Sequence, residues 1–170
     1  QNYFNQELLV IDGGSTDVTV EILKEYKNGI IKWISEPDKG IYDAMNKGIA
    51  IAEGEWILFL GADDKLCNGI LNEVFHDNQY GMTELLYGKV ITEPSFTIFG
   101  KATDLQQMIV ANIPHQAIFY KKTLLNYLNG YDLRYKILAD YDLNLKIFER
   151  SGITNLYIDK VIATYCSTGI

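Results

Sequence analysis

The stretch Trp56-Ile57-Leu58-Phe59-Leu60-Gly61-Ala62-Asp63-Asp64 sets five apolar residues in a row against a pair of aspartates. A short unbroken apolar run reads as a strand buried on both faces, as in a parallel sheet covered by helices. Working backwards, the pattern recurs twice: Asp38 follows Ile30-Ile31-Lys32-Trp33-Ile34, and Asp12 follows Leu8-Leu9-Val10-Ile11. The acids lie about 25 residues apart, the length of one strand plus one returning helix. Ligands of such sheets bind at the carboxyl ends of the strands. Three strand ends therefore bring carboxylates to one rim, where they repel unless a cation or hydrogen-bond donors sit among them. The rim is the expected site of a metal and a polar ligand.

The rest of the chain extends this rhythm and then changes it. A strand at Glu7–Ile11 leads through Gly13-Gly14-Ser15 to a helix capped by Thr16 or Asp17 and running to about Tyr26. Asn28-Gly29 ends that helix, and a second strand covers Ile30–Ser35. A second helix carries Ile41, Met45, Ile49 and Ala52 at helical spacing, with Asp43, Asn46 and Lys47 together on the opposite side, and Gly54 closes it. The strand Trp56–Leu60 is the most apolar and is expected in the middle of the sheet. Beyond Asp64 we expect a helix near Asn68–Asp77, antiparallel strands Leu85–Thr92 and Ser95–Phe99, and a short helix at Asp104–Val110. A strand Gln116–Tyr120, a helix Ala139–Arg150 and a final strand Leu156–Tyr165 follow. Residues 1–66 read as a nucleotide-binding part and 67–170 as the part that completes the site, within one domain.

Bulk properties bound the function. The 170 residues are 48% hydrophobic, enough for one sizeable core, and 22% charged, which argues against disorder. A net charge of −7 with no basic stripe argues against a nucleic-acid partner. Cys67 and Cys166 have no metal-type spacing, so reduced thiols in a cytoplasmic setting are expected. No apolar run approaches a membrane span. The chain opens at Gln1 and is inside a buried-looking strand within ten residues, so a piece of a longer protein is expected.

Each motif has an ordinary explanation beside the functional one. Ile11-Asp12-Gly13-Gly14-Ser15-Thr16-Asp17 is either a turn with a helix cap or a strand end where Asp12 accepts hydrogen bonds from a base or ribose. It is not a Gly-x-Gly-x-x-Gly fingerprint. In Glu36-Pro37-Asp38-Lys39-Gly40-Ile41-Tyr42-Asp43-Ala44-Met45-Asn46-Lys47-Gly48, a solvated helix face explains Lys47 but not Asp38. Asn46 and Gly48 are poor helix formers in mid-helix, so something other than propensity placed them. Asp63-Asp64 suits a surface turn, but paired hard oxygens after a buried strand favour Mg²⁺ or Mn²⁺. Asp140 and Asp142 open a helix, where acidic residues favour the positive end by default. His115 has no obligatory role.

Taken in order, these segments resemble the family 2 glycosyltransferases. The matching pieces are Ile11–Asp17, Glu36–Gly48, Gly54-Glu55 with Trp56–Asp64, His115-Gln116 and Asp140-Tyr141-Asp142-Leu143. The closest flavour is the branch that builds bacterial capsular and exopolysaccharides. The resemblance implies a GT-A, Rossmann-like α/β fold with a mostly parallel central sheet and helices on both faces. It implies transfer of a sugar, with inversion, from a nucleotide-diphospho-sugar donor to a saccharide or lipid-linked saccharide acceptor. Asp12 and Asp38 would hold base and ribose, with Gly40, Asp43, Asn46 and Asp63 also on the donor side. Asp63 and Asp64 would hold Mn²⁺ or Mg²⁺, Asp140 would be the general base, and His115 and Asp142 are further candidates. A cytoplasmic location, at most peripheral at the inner membrane face, is also implied.

Three departures stand against the pattern. Gly61 occupies the place of a further aspartate, implying one metal ligand fewer. Ala139 replaces an acidic neighbour of the base. The family's opening strand has no counterpart, as expected of a fragment. Two other readings remain at this level: a sugar-nucleotide-forming nucleotidyltransferase, and a non-catalytic nucleotide-sugar-binding module.

Overall fold

The computed structural model describes residues 1–26, 31–77 and 80–166. Strand β1 (Leu8–Asp12) leads to helix α1 (Thr19–Glu25), β2 (Ile31–Ser35), α2 (Ile41–Ile51) and β3 (Trp56–Ile57). Then come β4 (Lys65–Leu66), α3 (Ile70–Phe75), β5 (Leu85–Glu93), β6 (Ile98–Phe99) and α4 (Leu105–Met108). A 3₁₀ turn (His115–Ala117) opens β7 (Ile118–Lys121), followed by α5 (Lys122–Tyr127), α6 (Ala139–Glu149) and β8 (Asn155–Cys166). The expected helix terminator Asn28-Gly29 lies outside the described residues.

Local chemistry accounts for the helix starts. The Asp17 carboxylate accepts the Thr19 N–H at 2.9 Å, satisfying a donor that no earlier carbonyl can reach. Asp104 and Gln107 form a reciprocal capping box at α4. At α6 the two acids of the first turn face the partly positive end.

The sheet differs from expectation. β1 and β2 form a parallel pair of their own, while a six-stranded sheet runs β3-β7-β5-β8-β4 with β6 added to β5. Of the pairs in this larger sheet only β5–β8 is parallel. The pairs β3–β7, β4–β8, β5–β6 and β5–β7 are antiparallel. The mostly parallel sheet is therefore corrected to a mixed one. The short connection from β5 to β6 cannot make the crossover that a parallel pair needs, and regular strand–helix alternation stops after α2.

The run Trp56–Leu60 is also corrected. Only Trp56 and Ile57 pair, and they lie at one end of the strand order rather than in its middle. Phe59 leaves the sheet to place its ring 5.4 Å from Tyr131 and 6.2 Å from Tyr120. An apolar run reports burial, which a strand and a core-facing loop share.

Side-chain alternation along β5 and β7 builds two cores. Leu85, Tyr87, Ile118 and Tyr120 face Met45 and Ile49 of α2, Leu124 and Leu125 of α5, and Leu143 and Ile147 of α6. Leu86, Val90 and Phe119 face the other way, against Ile70 and Val74 of α3. Helices therefore cover both faces of the larger sheet. Each fully buried leucine contributes about 1.5–3 kcal/mol relative to exposure, so these layers fix the sheet against its helices.

Candidate active site

Asp12 ends β1 and is 8% exposed. Its carboxylate accepts from the backbone N–H of Gly14 (3.2 Å) and Ser15 (3.0 Å), from the Ser35 hydroxyl (2.6 Å) and from the Ser15 hydroxyl. The two serine hydroxyls lead in stabilising the charged form and hold the carboxyl down at about 2. Asp12 thus ties the turn after β1 to the end of β2. Asp38 comes up against the same turn. A Cβ on Gly13 would lie 2.5 Å from Asp38 Oδ2, so any larger residue there would push the acid away.

The Asp38 Oδ1 accepts the Gly40 N–H at 2.8 Å, and Asp43 Oδ2 accepts the Lys39 N–H at 3.0 Å. Lys47 reaches back to the Pro37 carbonyl (2.8 Å) and pairs with Glu36 (2.9 Å). These bonds wrap residues 36–39 over the start of α2. Asn46 points elsewhere. Its amide donates to the Tyr131 carbonyl and accepts the Tyr131 N–H, both at 2.8 Å. That pairing accounts for an asparagine in mid-helix: it seals a buried backbone segment 85 residues away.

Asp64 Oδ2 accepts from the Gly61 N–H and from Gln116 Nε2, each at 3.0 Å, and Oδ1 accepts the Cys166 N–H at 3.2 Å. Asp63 is exposed and has no hydrogen bond or ion pair among the described residues. A Cβ on Gly61 would meet Asp64 Oδ2 at 3.0 Å and Asp63 Oδ1 at 3.2 Å, so both carboxylates converge over that glycine. Among the described residues no group of three or more His, Cys, Asp or Glu gathers as a metal cage. Carboxylate oxygens of this kind are the donor type that hard divalent cations take.

Asp140 lies in the first turn of α6, and both of its oxygens are engaged. Oδ1 accepts from the Tyr42 hydroxyl and Oδ2 from Asn112 Nδ2, each at 2.7 Å. Asn112 Oδ1 accepts from the Ile113 N–H and from Asn144 Nδ2, each at 2.9 Å. Asn144 Oδ1 accepts from the buried Tyr120 hydroxyl at 2.8 Å. His115 stands close enough to feel both Asp140 and Asp64. Burial pushes its imidazole below the usual value, and the two carboxylates only partly oppose that. His115 lies within electrostatic range of both Asp64 and Asp140, while Asp12 and Asp38 meet at the turn after β1. Tyr42 bridges the two regions, since it follows Asp38 and Gly40 on the chain.

Asp142 is bound to Lys146 at 2.6 Å, an i,i+4 pair on the helix surface. The sequence reading missed Tyr42, Asn112, Asn144 and Tyr120. A polar Asn112 in the otherwise apolar run Ile109–Ile113 was the one local signal available.

The sequence profile of Glycosyl transferase family 2 matches residues 1–71. A PGL/p-HBAD biosynthesis glycosyltransferase of Mycobacterium tuberculosis is 37% identical over 169 residues, covering 96% of this chain and 66% of that protein. The chain belongs to glycosyl transferase family 2. It spans 66% of the length of that relative. Among solved structures, Staphylococcus aureus TarS 1-349 in complex with UDP-GlcNAc superposes with a TM-score of 0.79 at 20% identity, over 99% of this chain and 52% of that one. The mannosyltransferase PcManGT from Pyrobaculum calidifontis, in complex with GDP-Man and Mn²⁺, superposes with a TM-score of 0.66 at 16% identity, over 93% and 47%. These likenesses establish the GT-A fold. No described helix of this family 2 chain is long and apolar enough to cross a membrane.

Proposed function

We propose that this chain is the donor-binding and catalytic region of an inverting glycosyltransferase acting in polysaccharide biosynthesis. The observation that carries the proposal is Asp140, held by two donors at the head of α6 and within electrostatic range of His115. The acceptor is a hydroxyl of a saccharide or lipid-linked saccharide. As that oxygen attacks the anomeric carbon, its proton passes to Asp140, the new C–O bond forms, and the bond to the departing diphosphate breaks. A single displacement of this kind inverts the centre.

A nucleotide-diphospho-sugar is the donor. Family membership supports this class, as do the nucleotide-sugars bound in the two similar structures. Asp38 and the backbone around Gly13 and Gly40 offer polar groups to base and ribose. Asp12, already hydrogen-bonded on both oxygens, shapes that wall. Asp63 and Asp64 would hold Mn²⁺ or Mg²⁺, whose charge, when the ion is bound, offsets that developing on the leaving diphosphate. Association with a membrane is at most peripheral.

The test is to incubate the protein with Mn²⁺, a panel of nucleotide-sugars and saccharide acceptors, and to follow nucleotide release. Acceptor-dependent nucleoside diphosphate release, lost in Asp140→Asn while donor binding persists, supports the reading. Pyrophosphate exchange would point to a nucleotidyltransferase, and binding without turnover to a non-catalytic module.

A further inference from the structure

Resting on the reading of Asp140 as the base, we propose that Tyr42 and Asn112 are positioning residues that orient its carboxylate, with Tyr42 linking the base to the donor-side segment. Asp140 receives one donor on each oxygen, from two elements that the chain places far apart. Tyr42 lies 98 residues before it, on α2, and Asn112 lies 28 residues before it, in the loop after α4. Each oxygen keeps a second lone pair, so the carboxylate can still take a proton.

The polarity of the network is fixed. Asn112 Oδ1 is committed to the Ile113 N–H, so its amide nitrogen must face Asp140. The same oxygen takes the Asn144 amide, which sets the Asn144 oxygen toward the Tyr120 hydroxyl. Every donor from Tyr120 through Asn144 and Asn112 therefore points toward one acceptor, the Asp140 carboxylate. Tyr42 closes the other side. Burial, followed by its bond to Asp140, pushes its phenol up to about 12, so it stays a proton donor throughout the working range. Its ring packs 5.3 Å from that of Tyr131, which leaves little freedom to swing away.

The donor-side link is covalent and short. Asp38 accepts the Gly40 N–H and Asp43 the Lys39 N–H, so residues 38–43 are tied together, and Tyr42 lies inside that loop-to-helix junction. Any shift of the junction on loading a nucleotide-sugar moves the hydroxyl that sets the base.

The other ionisable groups around Asp140 are His115 before β7, Tyr120 on β7 and Tyr131 after α5, with Asp64 also acting on His115. Tyr42→Phe leaves these in place and removes only a hydroxyl. The experiment is steady-state kinetics of Tyr42→Phe and Asn112→Ser with Mn²⁺ and the active donor of the nucleotide-sugar panel, alongside calorimetric measurement of donor binding. Because the two hydrogen-bond donors act through the carboxylate, their loss should fall on kcat and spare the donor KM. Both variants should lower kcat about tenfold or more and leave donor KM and donor affinity within about twofold.

An unchanged kcat in Tyr42→Phe, with Asp140→Asn inactive, overturns the proposal. So does a fall in kcat matched by an equal loss of donor affinity, which would make the tyrosine merely structural. If Asp140→Asn itself keeps full turnover, the base assignment fails instead, so the two readings fail on different variants.

Discussion

Replacing Asn46 should cost more stability than a half-exposed polar side chain normally does. Its amide makes two 2.8 Å hydrogen bonds to the backbone of Tyr131, a residue only 2% exposed. Each bond contributes about 0.5–1.5 kcal/mol net, and a buried backbone group left without a partner costs about 1–3 kcal/mol. Water reaching the opened site recovers part of that, so Asn46→Ala should lose about 2–4 kcal/mol. With a urea slope of about 2 kcal/mol per molar, the unfolding midpoint should drop by about 1–2 M. Asn46→Asp is the sharper probe. It keeps an acceptor for the Tyr131 N–H but sets a second oxygen against the Tyr131 carbonyl, so it should fall nearly as far despite its closer shape. Urea titration followed by far-UV circular dichroism measures both. If both variants stay within about 0.5 kcal/mol of the parent at unchanged slope, the pairing carries no weight and the mid-helix asparagine needs another reason.

Other expected outcomes follow from the same contacts. Asp12, held at about 2 against an ordinary 3.8, binds protons more readily when unfolded; its contribution is present above about 3.8 and lost as the pH falls toward 2. Asp12→Asn should therefore flatten acid-induced loss of stability in that window, seen by denaturation at stepped pH. Asp63→Ala should leave the melting temperature unchanged while abolishing Mn²⁺-dependent binding of a nucleoside diphosphate by calorimetry. Asp64→Ala should lose that binding and about 1–3 kcal/mol of stability as well, because three donors lose their acceptor. Tyr120→Phe orphans the buried Asn144 oxygen and should lower the melting temperature by about 4–8 °C, at about 2–4 °C per kcal/mol for a chain of this size.

The sequence was most legible where structure is local and repeated. β1, α1, β2 and α2 fall where apolar runs, turn glycines and helical spacing place them, because each signal lies inside the element it specifies. Trp56–Leu60 misled because five apolar residues in a row cannot tell a central strand from an edge pair followed by a core-facing loop. β4 and α5 escaped notice: two residues carry no period, and α5 starts directly after β7 with no turn residue between them to mark it. The acids were visible as types at strand and helix ends. Their partners were not, since the Tyr42–Asp140 bond spans 98 residues and leaves no pattern near either end.

The alternation along β5 and β7 separates the chain's interior into two compartments with a sheet of backbone between them. Tyr120 points toward the base, while its neighbour Phe119 points toward α3. Repacking around Ile70 and Val74 is thereby screened from the geometry at Asp140. An engineer could rebuild that rear chamber for thermal tolerance without retuning the chemistry at the front.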